Sequence, residues 1–293
     1  MSKTKIPSLA NLPTLGPDDT IGEGDSFIKY DNTLSSDSIF KLLHDEVSWQ
    51  KMYHAAGEVP RLVAVQGTID ADGSKPVYRH PSDQSPPLLA FTPAVLLVKN
   101  AAEAVIGHSL NHVLIQLYRD GKDHITEHSD KTLDIVRGSK IVNASFGARR
   151  TMRLRRKRKS SAEPRDPRET QRVHMPHNSL FVLGLATNQS WLHGINADKR
   201  LSMDRAPEEM AFDGMRISLT FRHIGTFLDA DETHIWGQGA RAKSKEDAHA
   251  VVAGDDSETE RMIYAFGREN HQDEEWDWEE EYGKGFDVLH FRA

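Results

Sequence analysis

The chain has no cysteine among its 293 residues, which excludes disulfides and thiolate metal sites. A metal ion, if one is held, must sit on histidine, aspartate or glutamate. Nor is there an apolar run near the roughly 20 residues that cross a bilayer, so no membrane partner is expected. The opening stretch MSKTKIPSLANLPTLGPDD lacks the apolar centre of a secretory signal, and the expected setting is intracellular, cytoplasmic or nuclear. Positive charge is in deficit: a net charge of −7 argues against a surface coated by nucleic acid, although the charge is unevenly spread. Hydrophobic content of 38% and charged content of 28% are ordinary for a globular protein with a sizeable core. No internal repeat is visible.

Residues 1–26 are rich in Pro, Gly, Ser and Asp and read as a flexible N-terminal arm. In SSDSIFKLLHDEVSWQKM, Ser36 or Asp37 caps a helix whose Ile39, Leu42, Leu43 and Val47 recur at helical spacing. LVAVQGTI and PVYRH, joined by DADGSK, predict a hairpin closed by Asp-Gly. A second helix begins near Pro93. Six runs then follow with turn residues between them: HVLIQLY, SKIVNASFG, TMRLRRK, NSLFVLG, SWLHGIN and MRISLTFRHI. Strands at this density predict a mainly β sandwich or barrel with the helices outside. Residues 159–172 read as a polar hairpin loop, and LSMDRAPEEMAFDG as a second polar insertion. The segment 226–293 is expected to be an extension with a helix in SETERMIYAFGREN. Its acidic DEEWDWEEEYGKGFDVLHF is either a solvated tail or a segment that buries Trp276, Trp278, Tyr282, Phe286 and Phe291 on the core.

A redox iron that must also bind a cosubstrate and oxygen needs few protein ligands, and two histidines with one carboxylate suffice. His128 and Asp130 stand two apart, a spacing that points both to one face of an extended segment. His193, on a later strand, is the candidate third ligand. An isolated His-x-Asp pair is weak, because surface polarity also produces it. MRISLTFR adds a second element: Arg216, Ser218, Thr220 and Arg222 share one strand face, opposite Ile217, Leu219 and Phe221. Two inward arginines would need anions to meet them; on an exposed face they would meet water. His174, His177, His108, His112 and His124 read as loop histidines, and Trp191 as a packing residue.

Taken in order, Tyr118, Gly121, His128-x-Asp130, His193 and Arg216-x5-Arg222 resemble the AlkB family of iron(II)- and 2-oxoglutarate-dependent dioxygenases. The similarity is greatest to the eukaryotic homologues that repair alkylated DNA. It runs through VLIQLYRDGKDHITEHSD, SKIVNASFGARR, the stretch from Asn188 to His193, and ISLTFR, and reaches more loosely to Val59-Pro60-Arg61 and Tyr78. The resemblance implies a double-stranded β-helix, or jelly roll, as a catalytic domain over residues 27–225. It implies iron(II) on His128, Asp130 and His193, and 2-oxoglutarate held by Tyr118, Gln116, Thr220, Arg216 at the distal carboxylate and Arg222 near the chelating end. With molecular oxygen as cosubstrate, the implied reaction is oxidation of a C–H bond. A carbon attached to nitrogen would leave as an aldehyde, which amounts to demethylation. Where the family usually has Asn two residues before the tyrosine, this chain has Gln116.

For the substrate, two readings stay open. The DNA-repairing relatives carry further acids after the metal-binding Asp, whereas this chain continues Lys131-Thr132. In favour of N-alkylated DNA or RNA stands RRTMRLRRKRK, whose Arg149, Arg150, Arg153, Arg155, Arg156, Lys157, Arg158 and Lys159 could meet phosphates. The same run could be a solvated hairpin paired with the acidic C-terminal segment. The alternative is a small-molecule oxidase acting on an amino acid or secondary metabolite, with the inserts closing over a pocket. Candidate lining residues are Arg61, Tyr78, Lys131 and Thr132. A monomer is expected.

Overall fold

The computed structural model describes residues 12–30, 37–54, 57–81, 86–158, 166–253, 255–271 and 276–289. Two sheets dominate. In the larger, seven strands run in the order Phe27–Lys29, Ser179–Leu183, Ile141–Gly147, Arg216–Arg222, His112–Tyr118, Leu62–Gly67 and Leu88–Ala90. All neighbours are antiparallel except the last pair. The smaller sheet orders Thr14–Leu15, Thr170–Met175, Arg150–Arg156, Trp191–Ile195 and Ile125–His128. This is the mainly β jelly-roll architecture with flanking helices that the strand density and the family resemblance led us to expect.

The larger sheet is covered on both faces, which explains why its strands bury nearly every residue. On one face Ile217, Leu219 and Phe221 join Ile115, Val142 and Ala144 against Leu43 of the Asp37–Glu46 helix and Val98 and Ala102 of the Pro93–Ile106 helix. The second helix starts with proline, whose missing N–H costs nothing in a first turn. It stops at Gly107, whose φ of 77° suits a residue without Cβ. On the other face Ile28, Phe181 and Leu183 meet Met152, Leu154, Val173 and Met175 of the smaller sheet. The site lies between the two sheets, at the end where Tyr118 and Ile125 close this second cluster.

Four expectations change. The DADGSK turn forms, with Gly73 at φ 83° and its N–H donated to the Asp70 carbonyl, but no hairpin follows. Leu62–Gly67 has His112–Tyr118 and Leu88–Ala90 as neighbours, while Lys75–Pro76 pairs with Thr226–Leu228 in a separate four-stranded sheet. Residues 12–26 are not a free arm: Ile21 is fully buried, and Asp25 accepts hydrogen bonds from the N–H groups of Ala186 and Thr187 at the start of the Leu185–Ser190 helix. The span 159–172 ends in strand, because Thr170–Met175 pairs with Arg150–Arg156 and carries His174, whose Nδ1 meets the Thr151 hydroxyl. His112, too, is a buried strand residue. Ser36, Lys159, Phe291 and residues 159–165 lie outside the described residues.

The C-terminal region packs rather than trails. Trp276, Tyr282 and Phe286 are buried with Met262, Ala265 and Phe266 of the Asp256–His271 helix against Leu133. A buried ion pair, Arg79 to Asp134 at 2.6 Å, ties this region down, since Arg79 also donates to the carbonyls of Phe286 and Gly239.

Candidate metal and cosubstrate site

Pairing of Ile125–His128 with Trp191–Ile195 sets His193 directly opposite His128, and their ring centroids lie 4.5 Å apart. The register shifts just beyond, at Gly194, where an added Cβ would come within 2.9 Å of the Ile125 carbonyl. Asp130 follows two residues after His128. Ligand atoms of His128, Asp130 and His193 all lie within 4.8 Å of one another.

The surroundings prepare these side chains for a cation. His128 Nδ1 lies 2.8 Å from the Thr126 carbonyl. A carbonyl can only accept, so Nδ1 carries the proton and Nε2 presents its lone pair. Burial holds the His128 imidazole below its ordinary range. Burial first, and then the neighbouring His128, push His193 down to about 3. Nδ1 of His193 is buried without a partner among the described residues. For Asp130, burial alone would raise the carboxyl, but the Arg222 guanidinium and the two imidazoles outweigh it and hold it at about 2. Two neutral imidazoles and one carboxylate with an orphaned ring nitrogen are a donor set that fits a divalent iron.

Asp130 is fixed from three sides. Arg222 donates Nε and Nη2 to Asp130 Oδ2 at 3.1 and 2.9 Å, and its guanidinium lies 4.1 Å from the Tyr78 ring centroid. Asn188 grips the backbone, accepting from Asp130 N–H and donating to its carbonyl, each at 2.9 Å. Tyr78 accepts from the N–H of Lys131 at 3.0 Å. One of the two inward arginines thus finds its anion inside the protein.

The other does not. Arg216 is fully buried; its Nε donates to Ser145 Oγ at 2.8 Å and Nη2 to Asn143 Oδ1 at 3.1 Å, and Nη1 has no partner among the described residues. Burial lowers it to about 10, against the Tyr118 phenol, which raises it and whose ring centroid lies 5.2 Å from the guanidinium. A buried guanidinium with an unused donor and no carboxylate suits the free carboxylate of a dicarboxylic acid. Beside Arg222 a narrow cavity is lined by Gln116, Tyr118, Asn143, Ser218 and Thr220 together with the three metal-ligating candidates. Tyr118 donates its hydroxyl to Gln116 Oε1 at 3.3 Å. Asn143, Ser145 and the clamp function of Asn188 are what residue-by-residue reading missed. All three stand in stretches that carry the family resemblance, but only their contacts reveal a role.

A wider cavity of about 470 Å³ opens outward from His128 and Asp130. Arg61, Tyr78 and Lys131 line it; Thr132 does not. Thr132 is instead held by Glu269, which accepts from both its N–H and its hydroxyl. The basic run is largely spent within the protein. Arg153 and Arg155 pair with Glu127, Arg156 with Glu23, and Arg149 with Glu208, while buried Arg150 and Lys157 donate to backbone carbonyls. None of these ion pairs uses the acidic C-terminal segment, whose Glu279 and Glu281 pair with Arg137 and Arg268.

Residues 29–222 match the 2OG-Fe(II) oxygenase superfamily, and the chain belongs to that superfamily. Within it the similarity is to AlkB homologues: 35% identity over 134 residues to "DNA oxidative demethylase ALKBH2" of Mus musculus, covering 46% of this chain and 52% of the relative. "Alpha-ketoglutarate-dependent dioxygenase alkB homolog 3" of Bos taurus is 31% identical over 195 residues, 64% of this chain and 62% of the relative. The chain therefore spans between half and two thirds of the length of these relatives. Among solved structures, OsALKBH1 superposes with a TM-score of 0.45 at 13% identity, covering 68% of this chain and 98% of that one. Membership implies iron(II), 2-oxoglutarate and oxygen as cofactors. Among the described residues no helix is long and apolar enough to cross a membrane.

Proposed function

We propose that the protein is an iron(II)- and 2-oxoglutarate-dependent dioxygenase that removes N-alkyl groups from nucleobases oxidatively, its catalytic domain spanning residues 27–225 with the 226–293 extension packed on it. His128, Asp130 and His193 would hold the iron, which when bound with 2-oxoglutarate and oxygen supplies the oxidation of a nearby C–H bond. Arg216 receives the distal carboxylate of 2-oxoglutarate through its unused Nη1, with Asn143 and Ser145 holding the guanidinium flat for it. Arg222 occupies Oδ2 of Asp130 and so leaves Oδ1 for the metal. Gln116, Tyr118 and Thr220 line the channel between the two ends, and Arg61, Tyr78 and Lys131 line the wider chamber where the alkylated base would sit. Excluding water from that channel strengthens each of these polar contacts.

The observation that carries this reading is the pairing of a preformed three-ligand cluster with a buried arginine that has no anion of its own among the described residues. An intracellular, cytoplasmic or nuclear, place of action agrees with a nucleic-acid substrate. One observation favours the small-molecule alternative: the basic run is neutralised by Glu127, Glu23 and Glu208. Iron-loaded protein incubated with 2-oxoglutarate and methylated oligonucleotides over a salt series decides between them. Release of aldehyde and succinate, with a steep loss of binding as salt rises, is the expected result. Succinate that responds only to an extract of small metabolites would replace the nucleobase reading with the alternative.

A further inference from the structure

Beyond the family region, the Asp256–His271 helix contributes Ile263, Phe266, Gly267, Asn270 and His271 to the wall of the wider cavity. Their spacing of three, one, three and one places them along one helical face. A neighbouring face, carrying Met262, Ala265 and Glu269, is buried against the core. The cavity wall is thus the second face of a helix already anchored by the first.

One residue on that wall, Gly267, has no structural reason for its identity, and a second, Asn270, uses only its oxygen within the described residues. Gly267 sits inside the helix, where glycine is destabilising relative to alanine. Its φ is not positive, and a Cβ built there would meet nothing within 4 Å. Neither backbone conformation nor close packing demands glycine, so the remaining demand is for the space it leaves in the cavity. Asn270 is held with its oxygen inward: Oδ1 accepts from Ser129 N–H at 3.0 Å and from Lys131 Nζ at 3.3 Å. A backbone N–H can only donate, which fixes the amide orientation. Nδ2 consequently has no partner among the described residues, on a side chain that lines the cavity and is bonded to both neighbours of Asp130.

We propose that this helix is the selective wall of the substrate chamber, with Asn270 donating from Nδ2 to an acceptor on the substrate and Gly267 leaving room for the group that carries it. The inference rests on the wider cavity being the substrate site. Among N-alkylated bases, a ring carbonyl beside the alkylated nitrogen meets such a donor, as in 3-methylthymine. The exocyclic amino group beside the methyl of 1-methyladenine does not.

The test uses the iron-loaded full chain and three variants. Gly267→Ala should raise Tm by about 2–4 °C, because helix propensity is gained and no packing is lost. Gly267→Leu should raise KM for methylated oligonucleotide at least tenfold. Asn270→Asp keeps an oxygen for Ser129 and Lys131 but removes the donor. It should raise KM about tenfold on 3-methylthymine and lower it on 1-methyladenine. A fall in Tm for Gly267→Ala, or unchanged KM on both bases for the other two variants, overturns the proposal. If the wild type releases aldehyde from neither oligonucleotide, the nucleobase reading fails instead. The wall is then upheld by a rise in Tm together with loss of turnover on a metabolite extract in Gly267→Leu, and overturned if either is missing.

Discussion

Two buried carboxylates stand on opposite sides of the His128-Ser129-Asp130-Lys131-Thr132 segment, Asp130 on the sandwich side and Glu269 on the side of the C-terminal helix. Each is at most 3% exposed. They nevertheless titrate in opposite directions: Asp130 is held down at about 2, and Glu269 is raised by burial above its ordinary range. The difference lies in the partners. Asp130 faces a guanidinium that donates two hydrogen bonds, while Glu269 has, among the described residues, the hydroxyls of Thr132 and Tyr282, the Thr132 N–H and the more distant Lys131 and Lys157. Burial sets the penalty for charge at both sites, and at Asp130 the bonded guanidinium outweighs it. The first arrangement keeps an anion ready for a metal; the second is a latch.

Breaking the first side should cost most. Asp130→Ala removes a proposed metal ligand and strands the Arg222 guanidinium, which is 3% exposed. Loss of one partner of a buried pair costs roughly 3–5 kcal/mol. Chemical denaturation of iron-free protein should report that loss, and iron titration should show no saturable site. Retained stability would mean that Arg222 finds another anion.

Arg216 sharpens the contrast, because it is a buried cation without a carboxylate partner among the described residues. Arg216→Met should weaken 2-oxoglutarate binding by roughly 3 kcal/mol, about a hundredfold, from lost charge-assisted bonds. It should leave the stability of ligand-free protein unchanged or slightly higher. Calorimetric titration and a thermal melt on the same sample check both halves. Collapse of the ligand-free protein would make Arg216 a structural cation instead.

The smaller contribution of Asn188 tests the backbone clamp on Asp130. Asn188→Ala deletes two hydrogen bonds and leaves the buried Asp130 N–H unsatisfied, at a cost of about 2 kcal/mol. Iron affinity should fall about 10–100-fold, as expected for loss of a residue that orients a ligand.

What was legible in the sequence follows the same division. Strands covered on both faces read as apolar runs, and the His-x-Asp pair, the third histidine and the two arginines sat at recognisable spacings within them. The separate anions of those arginines were not legible. Arg216 and Arg222 lie on one strand face and look equivalent until Asp130 is folded beside one of them. Ile21 and Asp25 were hidden in a glycine-rich stretch, because a single apolar residue and one cap make no periodic signal. The DADGSK turn was read correctly, but a turn does not specify which sheet receives its second arm. The basic run looked free because its partner Glu127 lies on a strand paired through long-range register. Contacts between Asn270 and Ser129 join positions 141 apart, beyond any local pattern.

The latch offers the gentlest test, through pH. Desolvation raises the folded-state pKa of Glu269, offset in part by Lys131, Thr132, Tyr282 and Lys157. A carboxyl raised on folding binds its proton more tightly in the native state. Its contribution to stability is therefore complete below the unfolded-state value and declines as pH rises through the raised folded value. Glu269→Gln keeps an oxygen for Thr132 N–H and Oγ1, and places an amide where the Tyr282 hydroxyl can turn to accept. Being neutral at every pH, it removes the decline. Relative to wild type, the variant should gain stability steadily as pH rises from acid to neutral, measured by denaturant midpoints in iron-free protein at constant ionic strength. A constant difference across that range would mean that Glu269 is ionised without penalty, and that the two carboxylates differ in their hydrogen bonds alone.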